Sequence, residues 1–211
     1  RGGKIRDIPL YTNAYFGPSY KLDEIENEIN KLNLNFFEVK KVEDKEVAEL
    51  ISKGEVIARF GDDPMEFGAR ALGNRSILFN ALNPYARDIV NRIKKREWYR
   101  PFAAIVLEED AHLYFDDVIP NPYMTVCFPV KTDLIPGVTH VDKTCRVQTV
   151  STGHLYDLLL EFKRLSGHGI LLNTSFNLAG EPLVETPQQA IITLCGSELD
   201  YLWFYETKQL L

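Results

Sequence analysis

The sequence has few cysteines, no long apolar run and no surplus of positive charge, and each of these shortages excludes a class of protein. Cys127, Cys145 and Cys195 are far apart and form no C-x-x-C pair, so neither a disulfide framework nor a zinc knuckle is indicated. We expect them to be buried thiols in a reducing cytoplasm. The four histidines show no metal-ligand spacing, and we therefore expect no protein-held metal.

Two further absences concern membranes and nucleic acids. No stretch approaches the roughly 20 apolar residues that span a bilayer, and no signal segment is present, so we expect a soluble cytoplasmic protein with no membrane partner. The net charge of −6 argues against nucleic-acid binding, which usually needs a surplus of Lys and Arg. The chain begins with Arg1, and we expect it to be a segment of a longer protein.

What is present suffices for a folded domain, because 45% of the residues are hydrophobic. Helical patterns alternate irregularly with strand-like runs. Helices are predicted over 21–33, up to Gly54, from Asn83, from Ser151 or Thr152 to Gly167, and from Thr186 to Gly196. The strand-like runs end in loops that carry Gly, Pro and charged residues. This alternation predicts an α+β or mixed α/β fold around one twisted sheet.

The first of three segments with candidate functional residues is 65–76. It holds Arg70 and Arg75, five positions apart, two glycines and the polar Ser76 at its end. Glycines allow a backbone to approach a ligand closely, and successive N–H groups can form a concavity that binds anions. Arginine forks suit phosphate oxygens. A surface loop with solvated arginines is the alternative interpretation.

The second segment, 92–102, lies in a basic cluster within an acidic protein. Residues 87–100 hold six basic and two acidic side chains, among them Lys94, Arg96 and Arg100. Such a cluster repels itself unless it is solvated or faces anions. A solvated helix face is the usual explanation. Aromatic residues interleave with the charges, however, and this favours a rigid phosphate-binding segment.

The third segment, 170–182, is a buried strand that runs into polar residues. They are Asn173, Thr174, Ser175 and Asn177. Hydroxyl and amide groups at the carboxyl end of a strand can orient phosphates or a small planar amide, although they also favour turns for local reasons. Arg146 is a lone charge in an apolar strand, and it either pairs with a buried acid or binds the ligand. Together the segments predict a site for a nucleotide or an acyl phosphate.

These segments resemble the C-terminal domain of the NodU/CmcH carbamoyltransferase family. The similar blocks are 66–77, 94–97, 100–103, 140–142, 146–150, 172–177 and 180–182, and their order agrees over roughly 45–205. That domain is similar to YrdC, whose Lys-x-Arg and Ser-x-Asn signatures match Lys94/Arg96 and Ser175/Asn177. The resemblance implies a twisted mixed sheet with flanking helices that enclose a basic cavity. It places the domain at 46–211, after an extension, 1–45, that is a candidate remnant of a preceding Kae1-like domain.

The implied activity is the formation of carbamoyl-adenylate from carbamoyl phosphate and ATP, with Mg²⁺ accompanying the ATP. A separate N-terminal Kae1-like domain then transfers the carbamoyl group to a hydroxyl acceptor, so this domain performs only the adenylation half-reaction. We expect Lys94, Arg96 and Arg100 to hold phosphates and Ser175 and Asn177 to orient the carbamoyl or α-phosphoryl group. The other candidate ligand-binding residues are Arg70, Arg75, Ser76, Arg146, Asn173 and Thr174.

Departures from the family pattern leave alternatives open. Asp63-Pro64 stands where the family usually has Gly-Arg, which replaces an expected cation beside the site with an acid and a proline. One alternative is a threonylcarbamoyl-adenylate synthase, against which the block at 66–73 argues. Another is a catalytically silent module that binds nucleotides. The acceptor and the oligomeric state are not encoded in any recognisable motif.

Overall fold

The computed structural model describes residues 13–32, 37–61 and 64–211, and these residues form an α+β domain around one sheet. The α-helices are α1 Leu22–Asn30, α2 Asp44–Lys53, α3 Ala86–Ile93, α4 Ala111–Tyr114, α5 His154–Ser166 and α6 Pro187–Cys195. The strands are β1 Lys40–Lys41, β2 Ile57–Phe60, β3 Arg75–Asn80, β4 Ala103–Leu107, β5 Cys127–Pro129, β6 Thr144–Val150, β7 Ile170–Ser175, β8 Tyr201–Phe204 and β9 Gln209–Leu210.

Within the described part of the chain the sheet has nine strands in the order β1-β9-β8-β2-β3-β7-β4-β6-β5. Strands β2 and β8 are parallel, as are β4 and β6, and the remaining neighbours are antiparallel. The sheet is therefore mixed, with helices beside it, and this confirms the fold class expected from the sequence.

Both faces of the sheet are covered, so the central strands are apolar at successive positions rather than alternately. On β3, Ile77 and Phe79 join a core cluster with residues of α1, α3 and α6. Leu78, between them, faces a second cluster with residues of α2 and α5. This double cover explains why the strand-like runs in the sequence were almost continuously hydrophobic.

Most helix ends lie where the sequence marks them. Gly54 and Gly167 end α2 and α5 in the left-handed region, with φ of 95° and 79°. The Thr186 hydroxyl accepts a hydrogen bond from the Gln189 amide over 3.1 Å at the start of α6. The prediction that α5 begins at Ser151 or Thr152 was wrong, because Gly153 adopts a non-helical conformation, with φ of 85°, just before the helix.

The described residues before position 45 pack against the rest of the domain. Ile25 and Ile29 of α1 are buried in the core, and the Gly17 amide donates to the Met65 carbonyl over 2.9 Å. Strand β1 pairs with β9 at the edge of the sheet. The predicted boundary at residue 45 therefore does not coincide with a break in packing, while residues 1–12 and 33–36 of that extension lie outside the described residues.

The cysteines differ from the expectation of three buried thiols. Cys145 is buried, but Cys127 and Cys195 are exposed. Cys127 lies on the edge strand β5 and Cys195 at the end of α6, where one side of each element faces solvent. None of the helices in the described residues has the length and apolarity to cross a bilayer.

Candidate functional site

Strand pairing brings the three sequence segments together at the edge of the sheet that the ends of its central strands form. Strand β7 runs antiparallel to both β3 and β4, so its carboxyl end lies beside the beginnings of those strands. Ser175 is opposite Ser76, and Asn173 is opposite Ala103. Strand β6 runs parallel to β4 and brings Arg146 to the same edge. Segments that are far apart in the sequence therefore converge because of the sheet order.

A cavity of about 480 Å³ opens at this edge. Its lining includes the predicted site residues Arg70, Arg96, Arg100, Arg146, Asn173, Thr174 and Ser175. None of the lining residues that the structure describes is acidic. Four guanidinium groups line this space, one of them, Arg100, in an ion pair with Glu97, and together they create a positive potential that attracts polyanions. The basic cavity expected from the resemblance is therefore present.

Lys94 lies next to this cavity, at the end of α3, and its side chain is only 1% exposed. Its Nζ atom donates to Asn177 Oδ1 over 2.9 Å, to Ser175 Oγ over 3.2 Å and to the Ser175 carbonyl. Burial, together with the charge of Arg96, lowers the pKa of Lys94 to about 7. The Lys-x-Arg and Ser-x-Asn segments are thus joined through Lys94.

Arg96 and Arg100 link the cavity to a second hollow of about 730 Å³ around Lys94 and Asn177, since both arginines and Ser175 line both spaces. Burial and the neighbouring Arg100 lower the pKa of Arg96. The buried Nε donor of Arg96 has no hydrogen-bond partner among the described residues. A guanidinium group that has a buried N–H donor without a partner is suited to bind an anionic ligand such as a nucleotide phosphate.

The loop before β3 is shaped by a buried carboxylate, which the sequence did not reveal as such. Glu66 Oε1 accepts hydrogen bonds from the backbone amides of Leu72, Asn74 and Arg75 over 2.7, 2.7 and 3.0 Å. The amides that could have formed an anion-binding concavity are therefore occupied by this side chain. Only the exposed Arg70 of this loop reaches the cavity as a cation.

Two predicted ligand-binding residues of β3 are absent from the cavity lining in the described structure. Arg75 is completely buried, its guanidinium lies 3.5 Å from the ring centroid of Phe60, and it donates to the Gly61 carbonyl over 3.0 Å. Ser76 is buried too, and its Oγ accepts from the Gly73 amide over 3.0 Å. As consecutive residues of β3 they point to opposite faces of the sheet, and both are buried because both faces are covered. Although Ser76 is paired with Ser175 in the sheet, neither the Arg75 nor the Ser76 side chain lines the cavity.

Arg146 contacts a carbonyl rather than an acid. Its Nη1 donates to the Met124 carbonyl over 3.2 Å, and no ion pair of Arg146 occurs within the residues that the structure describes. The interpretation that Arg146 pairs with a buried acid is therefore not met among the described residues, and its role in ligand binding stays a prediction.

His140 and Tyr99 line the cavity but were not among the predicted site residues. His140 Nε2 lies 3.0 Å from the Phe102 carbonyl, so the imidazole fixes the start of β4. Tyr99 remains 58% exposed at the rim. His140 lies in a sequence block that resembles the family, which is a signal that could have identified it, whereas Tyr99 lies between two such blocks. Asp63 lies outside the described residues, and the effect of Asp63-Pro64 stays a prediction.

The described side chains include no group of three or more His, Cys, Asp or Glu that could hold a metal ion. The fold and the cavity define a YrdC-like domain with a mixed sheet and a basic site. The chain belongs to the family described as carbamoyltransferase C-terminus, whose sequence model matches residues 48–208.

Nodulation proteins are among the relatives of this chain. Nodulation protein NolNO of Sinorhizobium fredii is 40% identical over 204 residues, which cover 90% of this chain and 29% of that protein. Nodulation protein U of Rhizobium tropici is 34% identical over 202 residues, covering 93% and 33%. An uncharacterized protein of Methanocaldococcus jannaschii is 36% identical over 210 residues, covering 94% and 34%. The chain thus spans about a third of the length of these relatives.

Solved structures of HypF have a similar fold. Full-length HypF in a phosphate- and nucleotide-bound form superposes with a TM-score of 0.57 at 21% identity, covering 77% of this chain and 25% of HypF. HypF of T. kodakarensis gives a TM-score of 0.57 at 21% identity, covering 80% and 20%. At this level of identity the likeness establishes the fold alone.

Proposed function

We propose that this chain is the carbamoyl-activating domain of an O-carbamoyltransferase and forms carbamoyl-adenylate from carbamoyl phosphate and ATP. One observation carries the proposal: Lys94, which joins the two signature segments, lies beside a cavity lined by four arginines and no described acid. Such a site suits the simultaneous binding of two polyanionic reactants. The family to which the chain belongs supplies the carbamoyl chemistry.

The reaction consumes one water. Water adds to the carbonyl carbon of carbamoyl phosphate, the bond from that carbon to the phosphate oxygen breaks, and carbamate, phosphate and a proton result. A carbamate oxygen then attacks the α-phosphorus of ATP. The bond between the α-phosphorus and its β-bridging oxygen breaks, so that pyrophosphate leaves and carbamoyl-adenylate remains.

The chain would assist this sequence mainly by positioning and charge. Arg96 and Arg100, which line both spaces, would hold phosphates between the two reactants. Arg70 would approach from the facing loop. Lys94 would fix Ser175 and Asn177, whose polar groups orient the carbamoyl or α-phosphoryl group. Mg²⁺ would enter with the ATP phosphates, because it usually binds through substrate phosphates and few protein ligands.

The remainder of the longer protein would complete the reaction. The relatives are about three times as long as this chain, so roughly two thirds of their length lies outside the matched part. We propose that an N-terminal Kae1-like domain takes up carbamoyl-adenylate and transfers the carbamoyl group to a hydroxyl acceptor. The chain described here would then perform the adenylation half-reaction.

An assay with three reactant sets tests the proposal. The chain is incubated with labelled ATP and Mg²⁺ alone, with carbamoyl phosphate, or with threonine and bicarbonate, and adenylates are identified by mass spectrometry. We expect an adenylate and pyrophosphate only with carbamoyl phosphate. A threonylcarbamoyl adenylate would instead identify the threonylcarbamoyl-adenylate synthase. Calorimetric binding of ATP without any turnover would identify a silent nucleotide-binding module.

A further inference from the structure

Asn173 presents a buried acceptor in a cavity that is otherwise rich in donors. The residue lines the cavity, is only 1% exposed, and its Oδ1 atom has no hydrogen-bond partner among the described residues. A buried amide oxygen without a donor is costly in free energy, so its persistence in a folded protein calls for an explanation. A ligand that brings an N–H group to this position would supply the missing donor.

The orientation of this amide follows from the chemistry of its neighbours. Asn173 Nδ2 donates to the Ala71 carbonyl over 3.3 Å and to Gln148 Oε1 over 3.2 Å. Gln148 Nε2 in turn donates to the Leu72 carbonyl over 3.0 Å. Backbone carbonyls can only accept, so both NH₂ groups have to point towards residues 71 and 72. Rotating either amide by 180° would place its oxygen next to a backbone carbonyl oxygen, so this rotation is disfavoured. Asn173 Oδ1 is therefore the acceptor that has no partner among the described residues.

Few groups in the proposed reactants can serve such an acceptor. Phosphate and carbonyl oxygens only accept, whereas the carbamoyl NH₂, the adenine amino group and the ribose hydroxyls donate. The adenine amino group and the ribose hydroxyls are attached to large rings that need open space. The 58% exposed Tyr99 at the rim offers a flat base such space and a stacking surface. The buried floor at Asn173 suits the small carbamoyl group.

We propose that Asn173 Oδ1 accepts a hydrogen bond from the carbamoyl nitrogen and thereby selects carbamoyl phosphate against acyl phosphates that carry a methyl group instead. Gln148 is the positioning residue, because its amide fixes that of Asn173. This assignment rests on the proposed function, and it adds the feature by which the site recognises its smaller substrate. An acyl phosphate without an N–H would leave the acceptor unpaired in the interior.

The test compares two ligands that differ at this one group. Dissociation constants for carbamoyl phosphate and acetyl phosphate are measured by calorimetry on the unmodified chain, and we expect acetyl phosphate to bind about 10- to 100-fold more weakly. In Asn173→Ala and in Gln148→Leu the ratio of the two constants should fall to about 3 or less, as one lost hydrogen bond predicts. Arg92→Ala, a change at an exposed residue outside the cavity, should leave the ratio as it was.

The ratio separates recognition from structural damage, because a merely disturbed site would weaken both ligands equally. Equal binding of the two ligands by the unmodified chain would overturn the assignment while leaving the proposed function intact. So would a ratio that survives in Asn173→Ala. If, instead, the Asn173→Ala variant no longer preferred ATP to inosine triphosphate, Asn173 Oδ1 would be the acceptor for the adenine amino group. The assignment to the carbamoyl nitrogen would then be wrong. If neither acyl phosphate bound at all, the proposed function itself would fail.

Discussion

Lys94 donates a hydrogen bond to Asn177 over 2.9 Å, although 83 positions separate them in the chain. The bond connects the basic segment after α3 with the loop after β7. The backbone supports this connection, since the Ala179 amide donates to the Lys94 carbonyl over 2.9 Å. A buried ammonium thus organises the loop that carries Ser175 and Asn177, and its protonation is linked to the binding of anions.

Nucleotide binding is predicted to take up a proton at Lys94. The pKa of this amine is about 7 in the free protein, so it is mostly neutral at a pH well above that value. A bound polyanion favours the ammonium and raises the pKa, so binding at alkaline pH should take up about one proton. At a pH well below 7 the amine is already protonated, and this uptake should vanish.

Calorimetry of ATP binding in buffers with different ionisation enthalpies measures this uptake. The comparison with Lys94→Met removes the proton exchange of ATP itself and of other groups. Equal proton uptake by the unmodified protein and by Lys94→Met at alkaline pH would show that ligand binding does not change the protonation of Lys94.

Arg96 is predicted to dominate the chemical step. Its buried Nε lacks a partner among the described residues, and its guanidinium lies between the two hollows. We expect Arg96→Ala to lower kcat for pyrophosphate formation about 100- to 1,000-fold, by analogy with the loss of one donor that stabilises a transition state. Arg92→Ala is the matched control. Arg92 is an exposed arginine paired with Glu198 outside the cavity, and its loss should change kcat by no more than about twofold. A similar effect of both substitutions would argue against a specific role of Arg96.

Glu66 is predicted to be a stabilising residue rather than a ligand-binding one. Its carboxylate accepts hydrogen bonds from three backbone amides, and hydrogen bonds to charged groups contribute about 1.5–3 kcal/mol each, net of exchange with water, when they are measured singly. Because water replaces part of this, we expect Glu66→Ala to lower the free energy of unfolding by about 2–4 kcal/mol in urea titrations. The exposed Glu26, replaced by Ala in α1, should change it by less than about 0.5 kcal/mol. Equal stabilities of the two variants would contradict the anchoring role.

Gly73 is predicted to tolerate no side chain. Its φ is +115°, and a Cβ atom would lie 2.1 Å from Cδ1 of Leu155 in α5. Both the conformation and the space oppose a methyl group, so Gly73→Ala should cost about 2 kcal/mol or more of unfolding free energy. Gly180→Ala serves as a comparison, because that glycine also has positive φ but no atom within 4 Å of a Cβ. A smaller loss of unfolding free energy in Gly180→Ala than in Gly73→Ala would measure the cost of the contact with Leu155. Equal losses in the two variants would mean that the backbone conformation accounts for the whole effect.

The sequence predicted those features that depend on local signals. Gly54, Gly167 and Thr186 mark helix ends because each acts through its own backbone or hydroxyl group. The burial and the hydrogen-bond partners of the Arg75 and Glu66 side chains depend on long-range packing instead. Arg75 has the same charge as Arg70 five positions earlier, yet strand alternation turns it into the interior beside Phe60. No local pattern distinguishes these two arginines.

The arrangement of the site residues could be predicted only in part, for similar reasons. Lys94 and Asn177 meet because β7 lies between β3 and β4, and strand order cannot be read from spacing. The two-residue strands β1 and β9 are too short for a periodic pattern. The open acceptor of Asn173 becomes visible only when the partners of its amide are known.

The exchange of labelled pyrophosphate into ATP measures the proposed activation step itself, since it requires the reversible formation of an adenylate. The proposed function predicts exchange when carbamoyl phosphate and Mg²⁺ are present, little or no exchange without carbamoyl phosphate, and loss of exchange in Arg96→Ala but not in Arg92→Ala. Exchange that is independent of carbamoyl phosphate, or that persists unchanged in Arg96→Ala, would contradict it.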